Sequence, residues 1–184
     1  MILLRHGESE FNRHFSVTRC DPGIRDPALT ERGRVQANMA GAALAGIPIS
    51  RIIVSPYTRA LETAAPLAAL LGVPVAVAPL VRERFAFTCD IGSPRSVLER
   101  HWPEHDFAGL AETWWPQEAE PRDDVVGRAA RFRTEMAQDA EAERYLVISH
   151  WGFILALTGQ SVQNGVWLRC DPAAAAPVAL IWKP

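Results

Sequence analysis

The chain has 184 residues, enough for one hydrophobic core and barely enough for two. With 48% apolar and 22% charged residues and a net charge of −2, it has the make-up of an ordinary globular domain and gives no electrostatic case for a nucleic-acid or anionic-membrane partner. No apolar run is long enough to span a bilayer, and Arg5 and His6 interrupt the N-terminal apolar run unlike a secretory signal, so a cytoplasmic protein is expected.

Met1–Leu4 is an apolar run that predicts a strand, and it leads directly into Arg5-His6-Gly7. Residues 13–28, with Pro22, Gly23 and Pro27, are expected to be irregular. Thr30 is suited to cap a helix over about 31–45, closed by Gly46. Ile52–Val54 predicts a second strand, and Ser55-Pro56 opens a helix over about 57–71 with Gly72 just past its end. Val75–Ala78 predicts a third strand. Residues 85–121 break the rhythm with Trp102, Trp114, Trp115 and several prolines, and are expected to form an insertion or lid with one short helix over about 94–101. A helix over about 122–139, a strand at Tyr145–Ser149 and a helix from about Gly152 to Leu157 follow. Val178–Trp182 is expected to add an edge strand, and Ala173–Ala176 between two prolines a loop.

Strands alternating with helices predict an α/β fold: one domain over residues 1–184, a three-layer αβα sandwich around a mostly parallel open sheet. The chain is short for an eight-fold barrel. In open sheets of this kind ligands bind beyond the carboxyl ends of the strands. Four such ends deliver polar groups: Arg5 and His6, then Ser55 and Arg59, then Glu83 flanked by Arg82 and Arg84, then Ser149, His150 and Trp151.

Those residue types suit phosphoryl transfer. A phosphate monoester carries close to two negative charges at neutral pH. Arg5 and Arg59 offer permanently charged, forked donors that match its oxygens. A neutral His6 could attack phosphorus if its second ring nitrogen donated to a backbone carbonyl such as that of Gly7. His150 would stabilise the charge that builds in the transition state, and Asn12 could donate to a phosphate oxygen. Glu83 is the candidate acid for the leaving group, and beside bound phosphate its pKa should rise. Taken singly, an Arg-His pair at a strand end is usually a solvated loop, Arg59 a surface residue, Glu83 part of an ion-pair cluster and His150 a core histidine. Their joint occurrence at four strand ends favours function.

Other candidates carry less. His14 reads as surface. His101 and His105 have helical spacing, but Pro103 lies between them. Cys20, Cys89 and Cys170 are odd in number and far apart, suggesting neither a disulfide framework nor a metal site. The tryptophans of 85–121 are expected to serve packing or a lid rather than a substrate platform.

Leu4-Arg5-His6-Gly7-Glu8 with Asn12, Ser55-Pro56-Tyr57-Thr58-Arg59-Ala60 with Thr63-Ala64, then Glu83, then Ser149-His150-Trp151-Gly152 resemble the histidine phosphatase superfamily, the phosphoglycerate-mutase-like group of phosphatases and mutases. The resemblance spans nearly the whole chain, least well over 85–121. It implies that His6 is the phosphorylated nucleophile, that Arg5, Arg59 and His150 complete the phosphate pocket, that Glu83 is the proton donor, and that Ser55 stands behind them. It places Gly23 and Ile24 near a substrate-contact loop and implies a reaction without metal or other cofactor on a small phosphorylated substrate. The residue after the second histidine is often glycine in the family; here it is Trp151, whose indole must either pack away or narrow the entrance.

Three functions fit this reading. Hydrolysis is favoured. A mutase would carry extra basic residues in the insertion, whereas here Arg95, Arg100 and Arg122 are balanced by Glu99, Glu104, Glu112, Glu118 and Glu120. A non-catalytic phosphate binder would need no nucleophile and acid together. The substrate and the oligomeric state are not legible.

Overall fold

The computed structural model describes residues 1–182. In chain order the elements are β1 (Ile2–Arg5), α1 (Glu10–Thr18), α2 (Glu31–Leu44), β2 (Arg51–Val54), α3 (Thr58–Leu71), β3 (Val75–Val77), α4 (Arg95–His101), α5 (Arg122–Gln138), β4 (Tyr145–Ser149), α6 (Trp151–Thr158) and β5 (Trp167–Arg169). The strands form a five-stranded sheet in the order β3-β2-β4-β1-β5. All neighbours are parallel except β1 and β5. This is the mostly parallel sheet expected from the sequence, covered by helices on both faces.

The two-sided burial follows from strand geometry, because successive side chains point to opposite faces. Ile2 and Leu4 of β1, Ile52 and Val54 of β2, and Leu146 and Ile148 of β4 enter one core with α2, α3 and α4. Leu3, Ile53 and Val147 enter the other core with α5 and α6. Such buried aliphatic side chains contribute about 1.5–3 kcal/mol each. They fix the central strands rigidly, and with them the loops at their carboxyl ends.

Two expectations are corrected. Residues 13–18 are not irregular but belong to α1, which starts at a capping box: the Ser9 hydroxyl accepts from Asn12 N–H, and the Asn12 side chain accepts from Ser9 N–H. Asn at the third helical position does the work that Glu or Gln does in the common form. The edge strand is Trp167–Arg169, antiparallel to β1, and not Val178–Trp182, which is irregular. Val178 and Ile181 are exposed, so the apolar run there is not a buried strand. The short helix in 85–121 forms at 95–101. Of the tryptophans, Trp114 is buried against Tyr57, with ring centroids 4.7 Å apart. No helix among the described residues is long and apolar enough to cross a membrane.

Candidate active site

Strand order alone brings two of the candidate residues together. β1 and β4 are neighbours, in a register that opposes Arg5 to Ser149. The next residue on each is a histidine, and the His6 and His150 rings lie 4.9 Å apart between centroids, both buried. His6 Nδ1 donates to Gly7 C=O at 2.7 Å, which leaves Nε2 as the unprotonated nitrogen. The turn after His6 is tight. A Cβ on Gly7 would run into the backbone of Gly33, and one on Gly33 into the backbone of Glu8, so both positions require glycine. Burial and the charges of Arg59 and Arg5 hold the His6 pKa well below its ordinary value of 6.5. Burial, Arg59 and His6 do the same for His150. His150 Nε2 is 2.7 Å from Ser55 Oγ, so Ser55 stands behind the ring, while Nδ1 is buried without a protein partner. With the Ser55 hydroxyl donating, that free nitrogen carries the hydrogen.

The cations come from two directions. Arg5 is anchored by a bond from its Nη1 to Val162 C=O at 2.8 Å, and its Nε is buried without a partner. Burial lowers its pKa to about 10, so it stays charged at neutral pH. Arg59 sits in the first turn of α3 and is buried, with Nη1 donating to Cys89 C=O and Nη2 paired with Asp90 at 3.1 Å. Thr63 connects the two halves: its hydroxyl donates to Arg59 C=O and accepts from Gly7 N–H. Asp26 steadies the start of α3 by accepting from Thr58 N–H and Thr58 Oγ1.

Glu83 is placed by the helix opposite. Both carboxylate oxygens accept from Gly152 N–H in the first turn of α6, at 2.9 and 3.1 Å, and Oε1 also accepts from Arg84 N–H. Burial, and then the nearby Asp90 carboxylate, raise its pKa above 4.5. A Cβ on Gly152 would collide with Glu83 Oε1. The flexible carboxylate can yield where backbone could not, so Gly152→Ala should fold normally and displace the Glu83 carboxylate. The expected result is an unchanged melting temperature with kcat down by about 10²-fold, since misplacement by 1 Å costs that much; an unchanged kcat would remove Glu83's present position from the chemistry.

Behind Glu83 lies a buried ionic cluster. Glu120 accepts two bonds from Arg82 and two from Arg128, and Arg128 also donates to the carbonyls of Leu80, Arg82 and Glu83. Burial would raise the Glu120 pKa, but the two guanidinium groups outweigh it and hold it at about 2. A pKa below the unfolded value stabilises the fold above about pH 4.5 and loses that contribution as pH falls toward 2. Glu120→Ala leaves two largely buried arginines unmatched and should cost about 3 kcal/mol in urea unfolding at pH 7. The gap to wild type should narrow as pH falls below 4.5.

These groups meet at a cavity of about 390 Å³ lined in part by Arg5, His6, Asn12, Arg59, Glu83, Asp90, Trp151 and Asn164. Asn12 Oδ1 accepts from Ser9 and from Asn164 Nδ2, so its own amide N–H₂ is the donor left for a ligand. Trp151 lines the rim. Its Nε1 donates to Ser161 Oγ and its ring stands 6.1 Å from that of Trp182, so the indole is packed to one side. Gly23 and Ile24 do not line this cavity; Gly23, with φ 72°, belongs to an exposed turn closed by Asp21.

Two residues here escaped sequence reasoning. Asp90 pairs with Arg59, and Asn164 Nδ2 donates to His6 C=O at 3.1 Å, clamping the turn after His6 from the loop before β5. Neither has a local signal, since each acts on a residue at least 31 positions away. Among the described residues no group of three or more His, Cys, Asp and Glu could hold a metal ion.

Comparison with known proteins identifies the family. The family model described as histidine phosphatase superfamily (branch 1) matches residues 1–174. A glucosyl-3-phosphoglycerate phosphatase of Mycolicibacterium vanbaalenii is 30% identical over 166 residues, covering 86% of this chain and 72% of the relative. An adenosylcobalamin/alpha-ribazole phosphatase of Salmonella typhi is 25% identical over 203 residues, covering 99% and 98%. Among solved structures, a mycobacterial glucosyl-3-phosphoglycerate phosphatase in complex with VO3 superposes with a TM-score of 0.64 at 25% identity, covering 91% of this chain and 88% of that one.

Proposed function

The chain belongs to the histidine phosphatase superfamily and is a phosphomonoesterase of that family, and from this premise we propose that His6 is its nucleophile, with Arg5, Arg59, His150 and Asn12 holding the phosphoryl group and Glu83 moving the proton. The observation that carries the assignment is a tautomer-fixed His6 that lines one cavity with Arg5, Arg59 and Glu83, with the His150 ring 4.9 Å from its own and the Arg5 Nε and His150 Nδ1 donors without protein partners.

In the first step His6 Nε2 attacks phosphorus and the ester P–O bond breaks in line. Glu83 gives its proton to the departing alkoxide, and Arg5, Arg59 and His150 carry the charge on the equatorial oxygens. In the second step water attacks the phosphohistidine, Glu83 takes back a proton, and inorganic phosphate and neutral His6 remain. Ser55 and Asp90 are positioning residues: Ser55 sets the His150 tautomer, and Asp90 holds Arg59. The substrate is a small phosphorylated metabolite. The segment 85–121 is part of the same domain and supplies Ala86, Phe87, Cys89 and Asp90 to the cavity wall. Three free thiols suit a cytoplasmic setting.

The test is direct. Wild-type protein mixed with substrate and quenched in alkali within milliseconds should carry phosphate that is stable to base and lost in acid. Protein that turns over substrate yet never carries such phosphate has another mechanism.

A further inference from the structure

The mechanism leaves one wall of the cavity without a role. Phe11 and Phe15 lie one turn apart on α1 and stack with centroids 5.2 Å apart at 15°. Phe87, from the segment 85–121, stands at 5.5 Å from Phe11 and 5.1 Å from Phe15, tilted at 45° and 60°. The Arg19 guanidinium closes the row at 5.8 Å over the Phe15 ring. All four residues line the cavity that holds His6 and Glu83. Phe11 is buried and serves the core, but Phe87 is 40% exposed. Three rings from two separate segments thus converge on the space next to the reacting atoms, and the outermost remains in solvent. Offset and edge-on contacts of this kind are the ones aromatic rings make with one another, and a ring placed in such a group gains both buried area and quadrupole attraction.

The wall is also coupled to the phosphate site. Asp90 accepts from Phe87 N–H and Ala86 N–H through one oxygen and pairs with Arg59 through the other. The same carboxylate therefore sets the position of the aromatic wall and of a phosphate-binding cation.

We propose that Phe11, Phe15 and Phe87 form a leaving-group subsite, and that the substrates are phosphate monoesters whose alcohol portion carries an aromatic ring close to the ester. The proposal rests on the phosphomonoesterase reading above. It sets this enzyme against esters whose alcohol portion is a polyhydroxylated sugar acid, for which three phenyl rings offer few hydrogen bonds.

The experiment compares 2-phenylethyl phosphate with n-butyl phosphate, two primary alkyl esters whose leaving alcohols are of similar acidity, so that ring contact and not leaving-group chemistry decides. Binding of the inert 3-phenylpropylphosphonate and n-pentylphosphonate, in which CH2 replaces the ester oxygen of each, is measured by calorimetry in parallel. The expected result is a preference of about 10-fold or more for the phenyl ester in kcat/KM and for the phenyl phosphonate in Kd, with both ratios falling toward one in Phe87→Ala. Equal values in the wild type, or ratios that survive Phe87→Ala, overturn the subsite. If neither ester turns over but the phenyl phosphonate binds preferentially and that preference is lost in Phe87→Ala, the phosphatase reading fails and the subsite stands.

Discussion

His6→Ala should lower turnover of p-nitrophenyl phosphate by at least about 10³-fold, because loss of the nucleophile removes the covalent route altogether. No neighbour can take its place. His150 is the nearest imidazole, but it is buried and its Nε2 is held by Ser55, so its ring cannot swing to attack phosphorus without breaking that contact. Arg5 and Arg59 are untouched by the change, and inorganic phosphate should still bind within a few-fold of wild type. The assay is run with EDTA, which should leave the wild-type rate unaltered. A protein that only binds phosphate would show affinity and no turnover in either form. A rate that survives His6→Ala would assign the nucleophile elsewhere.

Glu83→Gln gives the second large effect, and its size should depend on the ester. An alkyl alkoxide is a poor leaving group and needs the proton, so kcat/KM for an alkyl phosphate should drop by about 10²–10⁴-fold. The p-nitrophenolate ion leaves without help, so its ester should lose far less in kcat/KM. The pH dependence follows from the same residue. In the proposed mechanism Glu83 acts in its protonated form, and burial together with Asp90 raises its pKa. For alkyl esters kcat/KM should therefore decline as pH rises through that raised value, and the decline should vanish in Glu83→Gln. His6 acts in its neutral form, and burial with Arg59 and Arg5 lowers its pKa. It should impose no acid limb near 6.5; the limb there belongs to the second ionisation of the phosphate ester, near pH ~6. Uniform losses across both esters would show that Glu83 positions the phosphoryl group instead of moving the proton.

What the sequence made legible follows burial and periodicity. β4 is a run of five buried residues, and it falls at the boundaries expected of it, Tyr145–Ser149. α3 stops at its glycine signal, Gly72, and starts at Thr58, two residues after Pro56. Tertiary context overrode local signals elsewhere. α1 was hidden by the Pro and Gly that follow it and by an Asn in the place where a capping box usually shows an acid or its amide. β5 has three residues and is a strand only because β1 lies beside it. The more apolar Val178–Trp182 forms no strand, and its Val178 and Ile181 are exposed. Within the site, residues that follow strand ends could be read because topology sends them to one edge. Asp90 and Asn164 could not, because each is defined by a distant partner, Arg59 in one case and the His6 carbonyl in the other.

The position of β1 between β4 and β5 has a consequence for biosynthesis. Of the five strands β1 is translated before the others and pairs with the two translated after them, so residues 2–5 meet no sheet neighbour until residues 145–169 have been translated. At roughly 5–20 residues per second that delay is on the order of ten seconds. During it Ile2, Leu3 and Leu4 are an apolar segment without its sheet neighbours. The turn after His6 is likewise incomplete until then, because two of its anchors, Ser149 and Asn164, are still unmade. Hydrolytic competence thus arrives in one late step, and a stalled or truncated translation product has none, however much of its helical shell has already folded.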